Sequence, residues 1–356
     1  MTGRERLTRV YRGELADRVP WAPYIDKKTL SGYDEAIQKK GPFEFTRAIG
    51  GDILGRCTVY KGGVNNNFVH SKTLDKADPS IRYVEFRTKL GSIKGVHSAK
   101  ALTYLEPLLK TPKCFEIWKY IYESRTFIED NNRFFEIEKE IREDGITAAV
   151  VGPTPVQQLV QQELGVEAFS FALYDYPSEL EDLMEGMHRK NKELYKLVAK
   201  SPAEFVILVE NTSTTMISPD TYKKYSMGHV KDFVDIMHEN GKKAIIHMCG
   251  LINHLLPLIK KTGLDGIDCL TPPPTGDTYF QDAYRIIGDH LTIHGLLDPT
   301  HWHSCSIDEM KKNIHNFLKT DIIDKPFVFC TAADGIPGIP LDKFNAIRKI
   351  MREYTF

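Results

Sequence analysis

Residues 218 to 250 read SPDTYKKYSMGHVKDFVDIMHENGKKAIIHMCG, and this stretch contains one complete helix-then-strand unit. Ser218 has the chemistry of a helix N-cap, with Pro219 in the first turn, and Gly241 stands where a helix stops. Then Ala244-Ile245-Ile246 runs apolar on both faces, as a strand does when helices or neighbouring strands cover it from either side. The run ends in His247 and Cys249, two residues apart, followed by Gly250.

Working outward, the same alternation recurs along the chain. Strand candidates are Val19 to Tyr24, Gly51 to Cys57, Thr147 to Gly152, Phe205 to Glu210, Ala244 to Cys249, Gly266 to Leu270, Leu291 to Leu297 and Phe327 to Thr331. Helical patterns such as SIDEMKKNIHNFL, residues 306 to 318, lie between most of them. Apolar strands that alternate with helices imply a parallel sheet, and about eight of them predict a closed α/β (β/α)₈ TIM barrel. A doubly wound open sheet is the competing reading. It lacks support because Pro23-Tyr24-Ile25-Asp26-Lys27 after the first strand is no glycine-rich phosphate loop. Residues 1 to 356 are read as a single barrel domain with an N-terminal extension and an elaboration around residues 81 to 144. There IRYVEFRTKLGSIKGV alternates with period two and turns near Leu90-Gly91, predicting an inserted antiparallel hairpin. A helical run from Pro112 to Asp144 follows, and together they predict a cap beside the barrel mouth.

Bulk properties narrow the class. The 356 residues are 42% hydrophobic and 27% charged with a net charge of −1, so no basic excess recruits nucleic acid. No window approaches the roughly 18 apolar residues of a membrane span. The charged start, MTGRERLTRVYRGE, lacks a signal-peptide core, which predicts a cytoplasmic protein. Six cysteines, at 57, 114, 249, 269, 305 and 330, are read as thiols rather than a disulfide framework.

Chemistry in such barrels sits at the C-terminal ends of the strands. Strand alternation puts His247 and Cys249 on one face, and imidazole plus thiolate is a donor pair suited to Zn²⁺. A catalytic zinc takes three protein ligands and keeps one position open. Cys330, closing the last apolar strand, is the expected third. Cys269 is the competing thiol, but Asp268 and Leu270 around it read as ordinary strand filling. Other strand exits carry Glu210, Tyr24, Asp26 and Asp298. Glu210 suits metal ligation or proton transfer, set against capping of the next helix. Trp21, Tyr24 and Phe68 are candidates to line an aromatic pocket.

Arg4-Glu5-Arg6-Leu7, Asp17-Arg18-Val19-Pro20-Trp21, His247-Met248-Cys249-Gly250, Pro272 to Asp277, Gly295 to Pro299 and Ala333 to Pro337 together resemble the uroporphyrinogen decarboxylase superfamily. The resemblance spans nearly the whole chain. Its His-x-Cys pair with a distant cysteine is similar to the zinc site of the cobalamin-dependent methyltransferases, which include methylcobalamin:coenzyme M enzymes and the methyltransferases of O-demethylases. It implies a zinc methyltransferase that moves a methyl group between a small donor or acceptor and cobalamin. The Asp-x-His-x-x-Gly signature of corrinoid-carrying domains is absent, so the cobalamin is expected on a partner corrinoid protein. In those methyltransferases the third cysteine falls close before a Gly and a Thr-Pro; the matching step here lands near Ala333-Asp334. The third ligand is therefore Cys330, Asp334 or Glu210. A metal-free decarboxylase is the alternative. It fits less well because Tyr24 to Thr29 holds no arginine for a polycarboxylate, and the His-Cys pair is left unexplained.

Overall fold

The computed structural model describes residues 1–74, 78–101, 103–289, 291–331 and 335–354. Seven strands form one parallel sheet in chain order: β1 (Ile53–Cys57), β2 (Gly145–Val151), β3 (Phe205–Val209), β4 (Lys243–His247), β5 (Gly266–Leu270), β6 (Thr292–Leu297) and β7 (Phe327–Thr331). The remaining candidate, Val19 to Tyr24, contributes a single bridge, Trp21 to Phe329, rather than a regular strand. Its backbone nevertheless joins the two sheet edges. Ala22 N–H donates to Phe329 O at 3.0 Å and Phe329 N–H to Pro20 O at 2.9 Å, while Asp52 N–H donates to Trp21 O at 2.7 Å. Two prolines, Pro20 and Pro23, remove the donors a longer ladder needs, so this closing segment stays short.

Side-chain alternation divides the buried residues into two cores. Leu54, Ile146, Ala148, Phe205, Ile207, Ile245 and Val328 point inward, where Leu7, Val10 and Tyr11 of helix α1 (Gly3–Tyr11) join them. The N-terminal extension is thus part of the barrel's filling. The alternate residues, such as Ile53, Val206, Leu208, Ala244, Ile246 and Phe327, face the surrounding helices. Trp21 and Phe68 belong with this outer set, Trp21 being 1% exposed and Phe68 packed beside Tyr120, so the aromatic pocket expected of them does not form there.

The elaboration leaves the C-terminal end of β1 and returns at β2, so it starts well before residue 81. The predicted hairpin is present as Ile81–Thr88 paired with Gly91–Ser98 in register Thr88 to Gly91, leaving Lys89 and Leu90 as the turn. Val69–Thr73 and Thr103–Glu106 extend it to four antiparallel strands. The helical run from 112 to 144 is broken: helix α2 (Pro112–Glu123) and helix α3 (Asn132–Ile141) flank a strand, Thr126–Glu129, which pairs with Tyr60–Gly63. The four-stranded sheet docks beyond the exit of β2, where Leu108 N–H donates to Glu163 O at 3.0 Å and Thr103 Oγ1 to Gln161 O at 2.9 Å.

Candidate active site

Register builds the centre of the site. His247 of β4 pairs with Asp268 of β5, and Asp268 pairs with His294 of β6. Residues level on adjacent strands share a face, so the three side chains stand in one row inside the barrel. His247 Nδ1 lies 2.9 Å from Asp268 Oδ2, and His294 Nδ1 lies 2.5 Å from Asp268 Oδ1. Arg56 enters from β1 with Nη2 at 2.9 and 3.1 Å from the two oxygens. Tyr11 adds its hydroxyl 3.3 Å from His294 Nδ1.

Asp268 is 1% exposed, and burial alone opposes its charge. The Arg56 guanidinium, followed by the two imidazoles, outweighs that and holds the carboxyl well below its ordinary range. Asp268 is therefore a carboxylate with both oxygens occupied. An acceptor-only group can bond His247 Nδ1 only if that nitrogen carries the proton, which leaves Nε2 with a free lone pair when the ring is neutral. Carboxylate-oriented imidazoles of this kind are the usual arrangement at protein zinc sites.

Two thiols stand beside that ring. Both Cys249 and Cys269 interact with the His247 side chain, and Cys249 Sγ lies 3.7 Å from Asn211 Oδ1. Burial works against a charged His247, but the Cys269 sulfur, Asp268 and Cys249 raise its pKa. Donor atoms of His247, Asp268 and Cys269 all lie within 4.8 Å of one another, the one such group of three among the described residues. Cys249 and Cys330 fall outside that group. Cys330, 1% exposed on β7, faces Arg56 and Cys269.

The donor set fits zinc. It offers an imidazole with one nitrogen fixed by a carboxylate, together with thiols within a few ångströms. Zn–S bonds of about 2.3 Å and Zn–N bonds of about 2.0 Å need only small closing movements from such spacings.

The other predicted residues are more dispersed. Glu210 is fully buried at the end of β3; its oxygens accept from Thr154 N at 2.8 Å and Thr154 Oγ1 at 2.6 Å. Burial pushes its carboxyl up to about 7 against those hydrogen bonds. Tyr24 lies under Arg56, whose guanidinium carbon is 5.2 Å from the ring centroid. Asp26 shares a cavity with Tyr24 and Arg56, but its Oδ1 caps a short helix, accepting from Thr29 N at 2.7 Å. Asp298 likewise caps the helix at 299, accepting from Thr300 and His301 N–H groups. Asp334 lies outside the described residues. Sequence reasoning passed over Asp268, His294 and Arg56. What marks Asp268 and His294 is register between strands: Asp268 is level with His247, and His294 with Asp268, a relation that no local pattern in the sequence displays.

Residues 137–354 match the uroporphyrinogen decarboxylase (URO-D) family. The chain belongs to that family. As a URO-D family member it is 24% identical over 131 residues to a methylcobamide:CoM methyltransferase of Methanosarcina acetivorans, covering 36% of this chain and 38% of the relative. It is 27% identical over 164 residues to a methylated-thiol–coenzyme M methyltransferase of Methanosarcina mazei, covering 44% and 40%. These matches span about two fifths of each relative's length. Among solved structures, a methyltransferase from Methanosarcina mazei superposes with a TM-score of 0.62 at 13% identity, covering 99% of both chains. A B12-independent methionine synthase from Shewanella sp. W3-18-1 gives 0.51 at 12% identity, covering 94% of this chain and 98% of that one. The structural likeness establishes the barrel fold. Among the described residues no helix is long and apolar enough to cross a membrane.

Proposed function

We propose that this URO-D family protein is a zinc-dependent methyltransferase of the O-demethylase type. It moves a methyl group between a small substrate and the cobalamin of a separate corrinoid protein. The observation that carries the reading is the His247 imidazole, pinned through Nδ1 by Asp268 and flanked by thiols at the strand exits. The names of the two methanogen relatives, which concern methylcobamide, a methylated thiol and coenzyme M, support it.

His247 and Cys249 would hold the zinc with a third protein ligand. When bound, zinc supplies Lewis acidity at the heteroatom that keeps or loses the methyl group. The chain's own residues do the remaining work. Asp268 and Arg56 orient His247. Glu210, whose carboxyl burial pushes up to about 7, would hold or give up a proton at neutral pH. Tyr24 and Asp26, which line a cavity beside Arg56, would contact the substrate. A metal-free decarboxylase is disfavoured because Arg56 is already engaged by Asp268 and is not free to fork a substrate carboxylate.

The test combines metal analysis with a screen of methoxyaromatics, methylamines and thiols, following the corrinoid spectrum in the presence of a corrinoid protein. Zinc near one per chain and turnover of at least one class are expected. Cys249→Ala should lower zinc occupancy and abolish transfer with the fold intact. Full zinc retention in that variant would overturn the site.

A further inference from the structure

Cys269 breaks the alternation of its strand. Asp268 faces inward and pairs with His294, so regular geometry would turn Cys269 outward toward the helices. Instead the register shifts between Asp268 and Leu270, and Cys269 adopts φ +66°. Positive φ is uncommon outside glycine, asparagine and aspartate, and a bulge of this kind re-aims a side chain. Here it brings Cys269 within 4.8 Å of His247 and Asp268.

The neighbouring strand is built to accept the bulge. Leu270 pairs with Gly295, where a Cβ would lie 2.3 Å from Leu270 O, and Gly295 itself has φ +152°. A side chain at 295 would collide with the displaced backbone, so the glycine and the bulge come as a unit. Strain of this sort persists only where the surroundings over-determine it, commonly at functional sites.

We infer that Cys269, rather than Cys330, is the third protein ligand of the zinc centre, completing an imidazole and two thiolates with His247 and Cys249. This rests on the zinc reading above and assigns a ligand within it. Asp268 is not the third ligand because both its oxygens are occupied by Arg56, His294 and His247. It acts instead as the positioning residue of His247. Burial, followed by the Asp268 carboxylate, pushes the Cys269 thiol up, so zinc binding must displace its proton.

The experiment uses full-length protein and its variants C249A, C269A, C269S and C330A. Zinc is measured after dialysis, and the zinc-free proteins are titrated with Co²⁺ to record thiolate-to-cobalt charge transfer. Zinc affinity in C269A and C269S should fall by more than the roughly 10–100-fold that loss of an outer partner costs. Their charge-transfer intensity should drop to about half, one thiolate remaining of two. C330A should match the unsubstituted protein in both readouts. Loss in C249A and C330A with none in the folded Cys269 variants would overturn this assignment while leaving the zinc reading in place. An unsubstituted protein that binds neither metal would overturn both. C269S keeps the size of the side chain, and its far-UV circular dichroism separates ligand loss from misfolding.

Discussion

At Glu210 a strand exit became a buried acid whose proton is set by its surroundings. Burial raises its carboxyl to about 7 from an ordinary 4.5, so the folded protein holds a proton there that the unfolded chain has released. That contribution to stability is fully present below about pH 4.5 and is lost as pH rises through 7. At 1.36 kcal/mol per unit, it amounts to about 3 kcal/mol. Glu210→Gln keeps an acceptor for the Thr154 N–H without the charge. Urea unfolding at pH 5 and pH 8 should therefore show a decline smaller by about that amount in the variant than in the parent protein. Identical pH slopes would mean that Glu210 is ionised throughout. Residue chemistry was only half legible beforehand. His247 and Cys249 stand out because they end an apolar run, whereas Asp268-Cys269 sits inside one and acquires its meaning from register with β4 and β6 and from a bulge. Neither depends on anything nearby in the chain, so local pattern did not reveal them. Asp26 and Asp298 looked much like Glu210 in sequence, yet their oxygens cap helices.

Elements were easier to read than residues. Two of the strand candidates, Gly266–Leu270 and Phe327–Thr331, have the observed bounds, because an uninterrupted apolar run between turn residues leaves little choice. Thr126–Glu129 went unseen within its helical surroundings; four residues acquire strand character from pairing with Tyr60–Gly63, a partner distant in sequence. The closing segment Pro20–Ala22 is similar, since its two sheet edges exist only after the barrel curls. Asp52 secures it. Its Oδ1 receives Arg6 Nη1 at 2.6 Å and Arg18 Nη2 at 3.3 Å, and its Oδ2 receives Trp21 N at 3.1 Å. Asp52→Ala would leave Arg6, itself 5% exposed, with one carboxylate partner fewer and would release the backbone of the closing segment. Removing one member of a buried ion pair costs about 3–5 kcal/mol. Chemical denaturation should register a loss of that size with little change in zinc content, because the segment lies across the barrel from β4. Loss of less than about 1 kcal/mol would show that closure rests on packing of Trp21 instead.

At the scale of the whole molecule, the barrel's interior is divided along its axis. Helix α1 and the inner apolar residues fill the N-terminal end, with Thr292 Oγ1 bonded to Val10 O. The polar row of His247, Asp268 and His294 begins above them. On the methyltransferase reading, substrate and cobalamin would therefore approach from the C-terminal mouth, beside which the four-stranded elaboration docks. A corrinoid is far larger than the cavity beside Tyr24, Asp26 and Arg56, so on the methyltransferase reading it must arrive at the rim on its carrier rather than reside within the chain. The expectation is that the purified protein shows no corrinoid absorbance, and that methyl transfer saturates with added corrinoid protein. Free cobalamin should support at most a small fraction of that rate, because it lacks the docking contacts that hold the cobalt over the mouth. Absorbance of the isolated chain and initial rates against corrinoid-protein concentration are the deciding measurements. Tightly bound cobalamin in the chain alone, or equal rates with free cobalamin and the carrier, would exclude a rim that works by receiving a partner.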